Sequence, residues 1–135
     1  MTIKLKTSDV EKSLYVNYLE RAKQCIRASE NSFSREDWTA ATINAIHCCI
    51  AACDAMCVYF LGRRYAGEDH TNAVKLFMTI NPNDEQIKTN ANRFIRIIQI
   101  KNMAEYEERL IFKSETEKAL KDCKRLLEYI EKKLP

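Results

Sequence analysis

Apolar residues recur along most of this chain at the three- and four-residue spacing of amphipathic helices. The first predicted helix runs from about Val10 to Ser29, with Leu14, Tyr18, Ala22, Cys25 and Ile26 on one face and Tyr15 and Leu19 widening it. Ser8, followed three residues on by Glu11, offers a capping box for its start. Asn31 to Ser34 reads as a turn, and Ser34 or Asp37 is placed to cap a second helix from Trp38 to about Leu61. That helix is apolar on two sides. Trp38, Ala41, Ala45, Cys49, Ala52, Met56 and Phe60 make one stripe, while Ile43, Ile46 and Ile50 make another. Such a helix is either central in a bundle or shared with another subunit.

The segment Gly62 to Asp69 is a loop punctuated by two glycines. A short third helix, about Thr71 to Met78, stops at Asn81-Pro82, and a long fourth helix runs from near Asp84 to near Glu108. Lys113-Ser114 breaks the pattern, and Ser114 with Glu117 forms a capping box for a fifth helix. Leu120, Cys123, Leu127, Ile130 and Leu134 line its inner face. The expected fold is all-α: one domain over residues 1–135, an antiparallel four-helix up-and-down bundle plus one short helix.

Composition agrees with long helices and short loops. The 135 residues contain only two Gly and two Pro, with 46% hydrophobic and 30% charged positions. The apolar runs look interrupted, so no membrane span is expected, and the start of the chain lacks the apolar core of a signal peptide. A cytoplasmic location is the default expectation. Net charge is +3, from 22 basic and 19 acidic residues, which neither demands nor excludes a nucleic-acid partner.

The fourth helix holds the main anomaly. Ile87, Ala91, Phe94, Ile97 and Ile98 share a face, and at about 100° per residue Lys101 returns to within about 20° of Phe94. Glu105 falls beside Lys101, and Asn102 with Tyr106 forms a second i,i+4 pair on the flank. Charge in an apolar stripe is costly unless paired, so this end should face a cleft, a partner or a ligand.

Other candidate chemistry is thinner. Cys48, Cys49, Cys53 and Cys57 crowd one helix, a string that resembles segments of cysteine-rich copper-storage bundles. Thiolates could hold Cu(I), but reduced thiols acting as small core residues are the expected state. His47 points to the side of Asp54, and His70 stands at a helix start where capping accounts for it. Neither histidine has a Glu three residues before it, as a di-metal bundle centre requires. No phosphate-binding glycine loop or nucleophile elbow is present. No cofactor and no metal is expected.

The string Ile-x-x-Ile-Lys101-Asn102-Met-Ala104-Glu105-Tyr106 resembles the Leu-x-x-Leu-Arg-x-x-Ala-Asp-Tyr signature of HEPN (higher eukaryotes and prokaryotes nucleotide-binding) domains. Trp38-x-x-Ala41-x-x-x-Ala45 resembles the family's second helix, and His70 to Phe77 its short third segment. The resemblance implies a four- to five-helix bundle, commonly a homodimer whose paired fourth helices frame a cleft. Many members are metal-independent ribonucleases with an Arg-(polar)-x(4–6)-His motif, and some are toxins restrained by a nucleotidyltransferase partner. In this chain Lys101 replaces the Arg, Asn102 is the polar position and Tyr106 stands for the His. Tyrosine, with a side-chain pKa near about 10, is a poor base at neutral pH. Lysine lacks the bidentate fork of arginine.

The leading expectation is a homodimeric binding module for a nucleotide, RNA or protein partner that does not cut RNA. Lys101 and Asn102 would contact phosphate or partner, Glu105 would orient Lys101, and Tyr106 would stack or hydrogen-bond. The alternatives are an active ribonuclease toxin using Lys101 and Tyr106 with a histidine from elsewhere in the dimer, and a Cu(I)-binding bundle.

Overall fold

A computed structural model describes residues 4–135, with Glu105 described in its backbone only. The chain runs through β1 (Thr7–Asp9), a 3₁₀ turn (Lys12–Leu14), α1 (Tyr15–Ser34), α2 (Trp38–Leu61), β2 (Arg63–Tyr65), α3 (His70–Met78), α4 (Glu85–Glu107) and α5 (Lys113–Lys133). It is an all-α bundle with one small antiparallel ribbon, in which Thr7, Ser8 and Asp9 face Tyr65, Arg64 and Arg63.

The start of the chain differs from expectation. Ser8 does not cap a helix; it sits in β1, and α1 begins at Tyr15 behind Leu14, with no side-chain cap. The ribbon consumes the polar backbone that a capping box would have satisfied. Asn31 to Ser34 are helical, so the turn shrinks to residues 35–37, with Glu36 at a left-handed φ of 64°. Asp37 occupies the position before α2 but its side chain makes no capping hydrogen bond; Ser34 Oγ donates instead to Glu30 O at 3.1 Å. The start of α5 is also displaced. The backbone N–H of Phe112 donates to Glu115 Oε1 at 2.9 Å, so the capping carboxylate is Glu115 and not Glu117.

The central element is α2, packed against α1, α5, α3 and α4. Ala41, Ala45, Ala52, Ala55, Cys48, Cys49 and Cys53 are all buried on it. Small side chains bring helix axes close and leave room for Phe77, Phe94, Ile97, Leu126 and Ile130, which are fully buried around it. Each of those large apolar groups contributes roughly 1.5–3 kcal/mol of burial free energy. All six cysteines are free thiols, and Cys123 Sγ donates to Ala45 O at 3.3 Å across the α5–α2 contact. By length and composition α2 is apolar enough to cross a membrane, contrary to the reading of its apolar runs as interrupted. Most of its apolar window is buried inside the bundle, as in the core helix of a folded domain.

Buried polar groups lock the helices in register. Ser29 Oγ donates to Ala41 O at 2.6 Å, tying α1 to α2. Thr42 Oγ1 donates to Thr116 Oγ1 at 3.0 Å, and Thr116 Oγ1 lies 3.1 Å from Trp38 O, tying α2 to α5. Gly62, at φ 69°, ends α2 with its N–H on Val58 O, and β2 then turns the chain toward α3. At Gly67 an added Cβ would lie 2.1 Å from Tyr65 Oη, so a larger residue here would require the Tyr65 ring to shift.

Candidate functional site

A second face of α2 carries Ile43, Ile46, His47 and Ile50, spaced i, i+3, i+4 and i+7. Against it lie the start of α3, the last turns of α4 and the segment leading into α5. Together they enclose a slot of about 220 Å³, whose polar lining includes His47, His70, Lys101 and Arg109 and whose apolar lining includes the three isoleucines, Ala104 and Ile111. A second hollow of about 180 Å³ adjoins it, reached by Asp69 and Asn102. Ile46, His70 and Lys101 border both.

Each wall is held for a local reason. Asp69 Oδ1 accepts the backbone N–H of Thr71 at 3.0 Å, which makes Asp69 the cap and His70 the first residue of α3. The capping role expected for His70 thus belongs to its neighbour, and the imidazole is left to the slot. On the far side, Glu108 at φ 52° turns the chain out of α4. Ile111 is then anchored by its N–H donating to Thr39 Oγ1 at 3.0 Å. The Arg109 guanidinium donates to both carboxylate oxygens of Glu115 at 2.8 Å, pairs with Glu107 and lies 4.3 Å over the Phe112 ring. Those hydrogen bonds raise the Arg109 pKa, and Arg109 in turn lowers the Glu115 carboxyl to about 2. Arg109 is a cation already matched within the protein.

Burial pushes the His70 pKa down, the Lys101 charge lowers it further, Asp69 opposes, and His47 adds a smaller lowering. His70 is therefore a neutral imidazole at neutral pH, and its Nδ1 is buried with no hydrogen-bond partner. The two histidines of the chain, 23 residues apart, meet beside Lys101. The charges nearest Asp54 are Arg64 and Arg21, and burial holds its carboxyl up at about 7. Asp54 belongs to the α1–β2 side of the helix, away from this slot.

Of the four positions singled out on α4, Lys101 and Asn102 reach the hollows. Tyr106 is 91% exposed and borders neither, and the side chain of Glu105 lies outside the described residues. In the sequence His47 and His70 each have an ordinary local explanation. The available signal is that His47 shares the second stripe of α2 with three isoleucines, which marks a face that borders a slot. Among the described residues no three His, Cys, Asp or Glu side chains are disposed to hold a metal ion. The cysteine ladder is buried among core residues, and burial is among the causes that raise the Cys48, Cys49, Cys53, Cys57 and Cys123 pKa values. That is the behaviour of core filler and not of thiolate ligands.

An all-α bundle with a histidine- and lysine-lined slot at the junction of α2, α3 and α4 is the class that fold and site define. The HEPN domain model matches residues 15–133, and the chain belongs to the HEPN family. No curated protein and no solved structure matches it.

Proposed function

We propose that the slot binds a phosphate-bearing ligand, a nucleotide or a segment of RNA, with Lys101 as the phosphate contact. The observation that carries this reading is the position of Lys101 on the border of both hollows, with His70 and His47 beside it. Ile43, Ile46, Ile50, Ala104 and Ile111 supply the apolar walls that a base or ribose face requires, and a few convergent polar groups fix orientation. Tyr106 points away from the slot, so the two motif positions of α4 do not act together on one phosphate. Cleavage by the family's α4 motif is not part of this reading.

A homodimer and a nucleotidyltransferase partner are further parts of the proposal. The dimer is supported by exposed apolar side chains near the slot, Ile43, Met103, Leu110 and Phe112, which are 39–76% exposed. The partner rests on family membership alone.

The test is fluorescence polarisation with a labelled single-stranded RNA, with ATP as competitor. Lys101→Ala is expected to weaken binding at least ~10-fold, the order of one lost charge-assisted phosphate contact, while Lys101→Arg retains it. Wild-type protein that binds neither RNA nor ATP, or an alanine variant that binds as well as wild type, refutes the reading.

A further inference from the structure

We infer that the groove between the start of α4 and the end of α5 binds a small polyphosphorylated ligand. Arg93 and Arg125 clamp one phosphate there, and Lys132 and Lys133 hold another. The groove encloses about 630 Å³ and shares no lining residue with the slot or its adjoining hollow. Its register follows from the seam of the two antiparallel helices. Arg96 forms a bidentate pair with Asp122, at 3.0 and 2.9 Å. Three residues back on α4 and three forward on α5, the same seam sets Arg93 against Arg125, so two guanidiniums stand where the neighbouring turn has an ion pair. Further along, Glu85 and Gln86 meet Lys132 and Lys133. Four cations therefore line the groove against two carboxylates, Glu85 and Glu128, and Glu85 lies 3.4 Å from Lys88. Among the described residues no carboxylate pairs with Arg93, Arg125, Lys132 or Lys133. Like charges gathered without counter-charge repel, and an anion in the groove removes that cost.

The site is built and not merely charged. Asn90, 2% exposed, donates from Nδ2 to Gln86 O at 2.8 Å and accepts from Arg93 Nη1 at 2.9 Å. A buried amide thus fixes one guanidinium and leaves its remaining N–H groups for a ligand. One turn from each cation pair, the Tyr129 hydroxyl is buried without a hydrogen-bond partner, a donor in the groove wall that a phosphate oxygen would satisfy. Phosphate fits better than carboxylate. Elsewhere in this fold one guanidinium takes both oxygens of one carboxylate, as Arg96 does with Asp122 and Arg109 with Glu115. Two guanidiniums around one volume match an anion with more than two acceptor oxygens. Lys132 and Lys133 follow Arg125 by about 10–12 Å along the helix, so a ligand with two or more phosphate groups engages both cation pairs.

The test is equilibrium dialysis of the purified chain against sodium tripolyphosphate and against orthophosphate, at an ionic strength of about 0.15 M. Wild type is expected to bind tripolyphosphate at least ~10-fold more tightly than orthophosphate. Arg93→Gln and Arg125→Gln should each weaken tripolyphosphate binding at least ~10-fold, and the double variant Lys132→Gln/Lys133→Gln should erase the preference over orthophosphate. Lys101→Ala should bind like wild type, which separates this groove from the slot. Wild type that fails to bind tripolyphosphate overturns the inference. So does undiminished binding by Arg125→Gln, an exposed position that serves even where Arg93→Gln unfolds. Binding lost in Lys101→Ala and kept in Arg93→Gln overturns it as well, by assigning the anion to the slot. A labelled single-stranded RNA that depends on Arg125 and binds more tightly than tripolyphosphate makes the occupant a nucleic-acid backbone and overturns the small-ligand assignment.

Discussion

Asp54 gives the sharpest quantitative handle on this fold. It lies on α2 in a half-buried position, where desolvation outweighs the pull of Arg64 and Arg21 and raises its carboxyl from 3.8 to about 7. The folded chain therefore keeps a proton that the unfolded chain releases from about pH 4 upward. By linkage, stability is undiminished by Asp54 below pH 3.8, falls as pH rises toward 7, and carries the whole penalty above about 7. At ~1.36 kcal/mol per pKa unit the full penalty is roughly 4 kcal/mol, and residual solvent screening at a half-buried site brings the expected value to about 2 kcal/mol. Asp54→Asn keeps the shape and removes the titration. The variant should match wild type near pH 4 and exceed it by about 2 kcal/mol at pH 8, a Tm gain of roughly 6–10 °C for a chain of this size. Paired denaturation curves at the two pH values read the difference directly. A gain of equal size at both, or a loss at pH 8, refutes burial as the dominant influence on this carboxyl.

Thr42 and Thr116 should behave as one unit. Thr42→Val strips the donor to Thr116 and Thr116→Val orphans Thr42, each costing about 1–2 kcal/mol, while the double variant costs less than the sum; additive costs in urea melts would mean the hydroxyls are independent. The exposed apolar residues near the slot predict a concentration-dependent dimer in sedimentation velocity that Leu110→Lys, at a 76% exposed position, shifts to monomer; a wild-type monomer across the micromolar range counts against the dimer.

Helix identity was legible because periodicity is a long-range signal, and α2, expected from Trp38 to about Leu61, runs from Trp38 to Leu61. The ends were less so. Three-residue strands such as Thr7–Asp9 and Arg63–Tyr65 have no periodicity to read, and their pairing depends on a contact spanning more than fifty residues. Ser8 and Glu11 satisfy a capping pattern that the ribbon overrides, because a backbone partner was available from β2. At α5 the carboxylate that caps is Glu115, which is also the partner of Arg109. Sequence alone could not choose between Glu115 and Glu117, since the choice is made by an arginine six residues upstream of Glu115.

The α4 motif shows the same limit at the level of the site. Lys101 to Tyr106 is a step of five residues, about 140° around an ideal helix, so a helix that turns Lys101 inward turns Tyr106 out. The 91% exposure of Tyr106 follows from that geometry, as does its i,i+4 companionship with exposed Asn102. Among the described residues of α4, Asn102 is the one other polar residue that shares a hollow with Lys101, and the remaining polar groups beside it come from outside the helix. The fold brings His47 and His70 to the same slot. Asp69 caps α3 and leaves His70 to the slot, while the second apolar stripe of α2 carries His47 to the same wall. The charge that stood out in the apolar stripe of α4 is thus explained by a junction of three helices. The two histidines line one slot because the cap at Asp69 and the second stripe of α2 turn them to the same wall.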